Sequence, residues 1–182
     1  DNPDLDSKTR DIVFVKLKFD GHVINIFVNH WPSRWGGQEK SNHKRVFASK
    51  VLSKYINLNT SPDEYTVIMG DFNDYPSNES ISKLIEEEKF INLMTSKFIS
   101  GIGSYNYKGK WNWLDQILVS ENFKSSNINL ISSGSFKRDF MLYKNKYGDS
   151  IPSRSFGGIN WYGGFSDHLP VYFKFNFIKN GN

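Results

Sequence analysis

The chain has 182 residues, 38% of them hydrophobic and 16% aromatic, enough for one domain with a sizeable core and too apolar for a disordered segment. It contains no cysteine, which excludes disulfides and thiolate metal sites but fits the cytosol and an exported protein equally well. No apolar run approaches the roughly 20 residues of a membrane-spanning helix, and the net charge of +4 is only a mild bias towards anionic partners. The opening DNPDLDSKTRD lacks a basic-then-apolar signal region, so an export signal is either absent or upstream, and the compartment stays open.

In chain order, IVFVKLKF at 12–19 alternates with period 2 and predicts a strand burying Val13, Val15, Leu17 and Phe19 on one face. Asp20-Gly21 is a tight-turn signal, and HVINIFVNH at 22–30 returns as a strand apolar enough to be covered on both faces. After Gly36-Gly37, residues 39–57 predict an amphipathic helix whose apolar stripe holds Phe47, Val51 and Tyr55 with Ala48, Leu52 and Ile56. A buried strand follows at 65–70, then a short helix opened by Pro76-Ser77, capped by Ser77 and running to about Glu87. Further strands are expected near 103–108, 113–120, 127–133 and 169–178. The Gly- and Ser-rich 134–165 reads as a long loop of the kind that often carries function. No repeat or inter-domain linker is visible, so residues 1–182 are expected to form a single domain.

Chemistry concentrates in short polar motifs at the ends of these strands. GDFND at 70–74 displays Asp71, able to bind a cation or take a proton from water, beside the amide of Asn73; a turn built on Asx hydrogen bonds is the competing reading. FSDHLPV at 165–171 offers Asp167 as a carboxylate for a metal and His168 as an imidazole for phosphate. WLDQILVS at 113–120 sets Asp115 among apolar neighbours, where it needs a partner such as His168 or the backbone. VNHWPSR at 28–34 ends a buried strand in Asn29-His30 and adds Ser33 and Arg34, suited to phosphate oxygens. Trp31, Trp35, Trp111, Trp113 and Trp161 lie near these motifs, either in the core or where they stack against a base or touch lipid.

A His at a strand end, then GD-x-N, then a strand Asp, then S-D-H near the C-terminus is the motif order of a known family. From about Ile12 to Phe177 the chain resembles the endonuclease/exonuclease/phosphatase superfamily, which includes DNase I-like nucleases, abasic-site endonucleases, inositol polyphosphate 5-phosphatases and bacterial sphingomyelinases. The wording NHWPSR-x-GG, YKGKWNWLDQILVS and GGFSDHLPVY is most similar to Bacteroidetes-type members. The resemblance implies an α/β (α+β) fold, a DNase I-like four-layer α/β/β/α sandwich. It also implies a divalent-metal-dependent hydrolase of phosphate esters using Mg²⁺ or Mn²⁺, with phosphodiesters favoured. The alternatives are a phosphomonoesterase, a lipid phosphodiesterase, or an impaired fragment that retains phosphate binding.

Carried onto this chain, the resemblance puts His30 beside the scissile phosphate, Asp71 as base or water activator and Asn73 as its orienting partner. Asp115 accepts a hydrogen bond from His168 and favours its cationic form, and Asp71 with Asp167 faces the metal. Arg34, Asn73 and Arg154 are the expected substrate contacts; the 134–165 loop, which runs directly into Ser166-Asp167-His168, is expected either to rim the cleft with Arg138 or Arg154 near the phosphate or to be a solvated surface loop. The family's upstream strands, one bearing an Asn and one a metal-binding Glu, have no match here, so the chain is expected to be N-terminally truncated and impaired alone. Glu39 and Glu64 are read as solvated rather than as substitutes. Truncation of a sandwich would leave apolar sheet exposed and prone to self-association. A second departure is Gln116, where many relatives have an aromatic or Arg. The substrate, whether nucleic acid, lipid or sugar phosphate, is not legible, and the resemblance leans towards an exported or periplasmic location.

Overall fold

A computed structural model describes residues 9–98 and 102–178; the opening DNPDLDSK lies outside them. Asp20-Gly21 turns strand β1 (Val13–Phe19) into β2 (His22–His30), and both turn residues take the positive φ such a hairpin needs, 48° and 81°. β3 (Tyr65–Asp71) lies parallel to β2, joined to it by helix α1 (Gln38–Asn59), which supplies the long crossover a parallel pair requires. The short strand β4 (Ile91–Asn92) and β7 (Asp115–Val119) complete a five-stranded sheet in the order β1-β2-β3-β7-β4. Helix α2 (Glu79–Glu86) lies beside α1, and a single helical turn, α3 (Thr95–Phe98), follows β4.

One face of this sheet packs on the helices through Phe27, Trp31, Ile68, Phe72 and Leu118 against Leu52, Ile56, Ile81 and Leu84. The other face packs Ile24, Val67, Ile117 and Val119 against a hairpin-like pair, β8 (Ile128–Ser135) and β13 (Val171–Phe177), through Val171, Phe173, Phe175 and Phe177. Each fully buried large apolar side chain in these two interfaces contributes about 1.5–3 kcal/mol of transfer free energy, and the half-buried Val171, Phe173, Phe175 and Phe177 less. Of the four layers expected, the described residues therefore form three: helices, the five-stranded sheet, and a second sheet two strands wide.

The narrowness of that second sheet corrects the reading of β1. Its Val13/Val15/Leu17/Phe19 face does point towards β8 and β13, but the second sheet ends before covering it, so Val13, Val15 and Phe19 are exposed and only Leu17 joins the core. Phe14, on the opposite face, stacks on Phe27 with ring centroids 4.7 Å apart. Helix α1 is also turned relative to expectation. It buries Ser41, Arg45, Ser49, Leu52 and Ile56, whereas Val51 and Tyr55 of the anticipated apolar stripe stay largely exposed. α2 begins after Asn78 rather than Ser77, because the Asn78 carboxamide is engaged with the Tyr75 N–H and Arg34.

The expected loop 134–165 is instead two small hairpins. β9 (Leu142–Lys144) pairs with β10 (Ser150–Pro152), and β11 (Phe156–Gly157) with β12 (Asn160–Trp161). Ser153 ties them together, donating its N–H to Met141 O and accepting from the Phe165 and Ser166 N–H groups at 2.7 and 3.0 Å. A third small hairpin, β5 (Tyr105–Tyr107) with β6 (Lys110–Asn112), precedes β7. It is joined to the C-terminal motif by a bridge between Tyr105 and His168.

Candidate active site

Strand register alone lines up three of the polar motifs. In the parallel β2–β3 pair His30 lies opposite Asp71, and in the antiparallel β3–β7 pair Asp71 lies opposite Asp115. The row His30–Asp71–Asp115 therefore crosses three adjacent strands at one end of the sheet. Gly70 makes this close pairing possible: its φ is +129°, and a Cβ there would fall 2.0 Å from the Asn29 carbonyl oxygen. The bridge at Tyr105, with the Leu169 N–H donating to Ser104 O at 2.7 Å, delivers His168 to the same place.

His168 Nδ1 lies 2.7 Å from Asp115 Oδ2, the pairing expected from the sequence, and the Ser104 hydroxyl donates to the same oxygen at 2.5 Å. Tyr105 stacks obliquely on the imidazole, centroids 4.7 Å apart. Burial pulls His168 towards neutrality, but the hydrogen bond and charge of Asp115, helped by Asp71 and Asp167, outweigh it and push the imidazole up to about 9. His168 is thus a cation at neutral pH with Nδ1 committed to Asp115, leaving Nε2 to face Asp71 Oδ2 at 3.9 Å. His30, with Nε2 3.5 Å from the same oxygen, goes the other way: burial, then the Arg10 and His168 charges, hold it below the usual imidazole value.

Asp71 is raised to about 6, chiefly by burial and next by the Asp115 charge, which together exceed the help of the His168 cation. The Asn73 backbone N–H donates to its Oδ1 at 2.8 Å and the Asn73 amide to its Oδ2 at 3.1 Å. The Asn73 Nδ2 also donates to Trp31 O at 3.0 Å, so its donors are spent holding the Asp71 carboxylate and the β2 exit. Asn73 itself sits at φ 51°, a left-handed geometry that asparagine tolerates better than most residues.

That geometry is anchored by Asp74, which the sequence reading passed over. Fully buried, it lies 2.8 Å from Nε of the equally buried Arg45 and 3.1 Å from Nη2 of Arg34, and it accepts the Ser80 hydroxyl at 2.5 Å. Gln116, flagged as a departure, explains itself here: its amide donates to Asp74 O and Trp113 O at 2.9 and 2.7 Å. Arg34 further donates from Nε to Asn73 O at 2.7 Å and stacks over Tyr75 at 4.1 Å. It is therefore mainly a brace for the Asp71–Asp74 turn, although it also lines the cleft.

A cavity of about 950 Å³ holds His30, Asp71, Asn73, Asp115, Asp167 and His168 on its wall, together with Arg10, Ser33, Arg34 and Tyr105. All six residues expected to converge do so. Asp167 is half exposed and pairs loosely with Arg154, whose Nη2 lies 3.9 Å from its Oδ2. Arg138 lies over Phe136 and donates to Lys137 O, away from the cavity wall. Trp31 and Trp113 are core residues, whereas Trp35 and Trp161 are exposed and Trp111 lies under Lys137. Glu39 is exposed as expected. Glu64 is engaged with Lys16 and Asn25 at the start of β3, the opposite end of the sheet from Asp71.

Asp71, Asp115 and His168 each bring a ligand-capable atom within 4.8 Å of the others. Two of the three are spent on each other, since His168 and Asp115 form the ion pair. Asp71 is under-compensated for charge, and it and the exposed Asp167 on the same cavity wall are hard oxygen donors of the kind that suit a divalent cation.

Residues 1–177 match the endonuclease/exonuclease/phosphatase family model, and the chain belongs to that family. Several solved structures share the DNase I-like fold. The human Nocturnin catalytic domain with bound sulfate is 17% identical over 91% of this chain and 51% of its own, with a TM-score of 0.56. A mannosyl-6-phosphatase from Bacteroides thetaiotaomicron is 16% identical over 87% and 53%, TM-score 0.54, and sphingomyelinase C from Streptomyces griseocarneus 14% over 88% and 56%, TM-score 0.58. The chain thus spans about half the length of these structures. No curated protein matches it by sequence.

Proposed function

We propose that the chain carries the active site of a divalent-metal-dependent hydrolase of phosphate esters, with phosphodiesters ahead of monoesters. The observation that carries this reading is the convergence of an imidazolium, a neutral imidazole and a partly uncompensated carboxylate on one cavity. A phosphate needs donors on its non-bridging oxygens and a base behind the phosphorus, and this set offers both. His168 Nε2–H donates to a non-bridging oxygen and balances charge as it develops, with Asp115 and Ser104 fixing the ring. Asp71, mostly ionised at neutral pH and oriented by Asn73, takes the proton of the attacking water. His30, at the other side of Asp71, faces the same phosphate. Mg²⁺ or Mn²⁺ on Asp71 and Asp167 supplies Lewis-acid charge to phosphate oxygens when bound.

The test is turnover of bis(p-nitrophenyl) phosphate and p-nitrophenyl phosphate with Mg²⁺, Mn²⁺ and chelator, in the wild type, Asp71→Asn and His168→Ala. The reading expects metal-dependent turnover, greater on the diester, that both substitutions remove. Faster monoester turnover would make the protein a phosphatase. Turnover unaffected by both substitutions would remove the mechanism.

A further inference from the structure

Beside the polar cleft lies a second cavity, of about 460 Å³, between helix α1 and the edge strand β1. Its character is opposite. Ile12, Phe14, Phe27, Phe47, Val51 and Tyr55 line it, with Trp31 and Pro32 from the β2 exit. The aromatic wall is ordered: Phe14 stacks on Phe27, and Tyr55 meets both edge-on with centroids 5.6 and 6.1 Å away. Arg10 and His30 line both cavities, so the apolar one opens beside the polar cleft.

We propose that this cavity is a subsite for an aromatic group esterified to the phosphate, making the preferred substrate an aryl-bearing phosphate ester. The inference rests on the phosphoesterase reading of the neighbouring cleft. Its volume falls in the range of small-molecule sites, and its walls are of the kind that surround apolar ligands, with few polar groups placed at one end. Five aromatic side chains favour a flat ring, which can stack or meet them edge-on, over a flexible chain that would lose more conformational freedom. At the junction Arg10 brings a positive charge and the His30 ring a hydrogen-bonding nitrogen for the phosphate, with Asp11 beside Arg10 on the apolar cavity's wall, so one ligand fills both cavities only if its anionic and aromatic ends are adjacent. Val51 and Tyr55, side chains that the helix pattern alone would bury, are exposed because they form this rim rather than the core contact.

Calorimetric titration of the chain with inorganic phosphate, methyl phosphate, octyl phosphate, 1-naphthyl phosphate and 1-naphthol tests the proposal. Naphthyl phosphate should bind at least about tenfold tighter than methyl phosphate, from burial of the ring, and tighter than octyl phosphate. Ala48→Phe, which fills the cavity from α1, and Val51→Asn, a polar change at the exposed rim that spares the core, should each bring the naphthyl-to-methyl ratio close to one. Equal affinities for naphthyl and methyl phosphate, a ratio unmoved by both variants, or an octyl preference would overturn the subsite while leaving the phosphate site intact. Absence of binding by every phosphate would instead overturn the functional reading on which the proposal rests.

Discussion

Asp71 and Asp74 stand three residues apart in one motif and have opposite surroundings. Asp74 has no exposed surface and is matched by two arginines and a hydroxyl. Asp71 faces a cavity, and burial and the Asp115 charge raise it to about 6. A buried charge is tolerated when fully paired, and breaking such a pair is costly. A carboxylate left short of positive charge in a cleft marks a site poised for a cation or a proton. The satisfied residue holds the turn so that the unsatisfied one can be held in place without being neutralised.

The largest effect should come from removing the satisfied side of this contrast. Arg45→Ala takes from the buried Asp74 its one fully buried cation, leaving only Arg34 and the Ser80 hydroxyl, and should cost about 3 kcal/mol in urea unfolding. The Arg45→Ala/Asp74→Ala double variant should be less destabilised than the sum of the single variants, and strict additivity would show that the two do not act as a pair. On the functional side, Asp115→Asn keeps the shape of its side chain but removes the charge that fixes and protonates His168. Turnover should fall about a hundredfold or more, with an unchanged circular dichroism spectrum. Wild-type turnover in that variant would break the link between the pairing and catalysis.

Asp71→Asn sharpens the comparison further, because it should act in the opposite direction on stability. The folded-state pKa of Asp71 is raised above the ordinary carboxylate value of 3.8, so the native state loses stability as pH rises from there through about 6 and carries the full penalty above it. Asn should therefore raise stability at pH 8 by about 1 kcal/mol, after allowing for a weakened Asn73 contact, while removing turnover. A loss of stability at pH 8 would mean that the carboxylate is compensated after all. His168 adds a pH dependence of its own. Its folded pKa is raised to about 9, so its stabilisation is complete below the unfolded imidazole value near 6.5 and fades as pH rises through 9. The wild type should lose more stability than Asp115→Asn across that window.

The row His30–Asp71–Asp115 was readable because each residue ends or begins a run of strand-like apolar residues, and sheet register then does the alignment. Arg45 was not. Hydrophobic periodicity assigns a basic residue on a helix to solvent, and only the tertiary position of Asp74 reveals that the helix turns this arginine inward. The same rotation moved Val51 and Tyr55 from the expected core to the rim of an apolar cavity. The hairpins within 134–165 escaped for a different reason: strands of two or three residues are too short to show a period. Val13 and Val15 carried a correct period but an incorrect consequence, since a strand's pattern says which residues share a face and not how wide the facing sheet is.

The central claim, that His168 is a cation fixed by Asp115 and aimed at a phosphate, is tested most directly by an NMR titration of the His168 imidazole with and without inorganic phosphate. The account expects a midpoint near 9 that moves higher when phosphate is present and falls markedly in Asp115→Asn. A midpoint near the ordinary imidazole value of about 6.5, insensitive to phosphate, would contradict it.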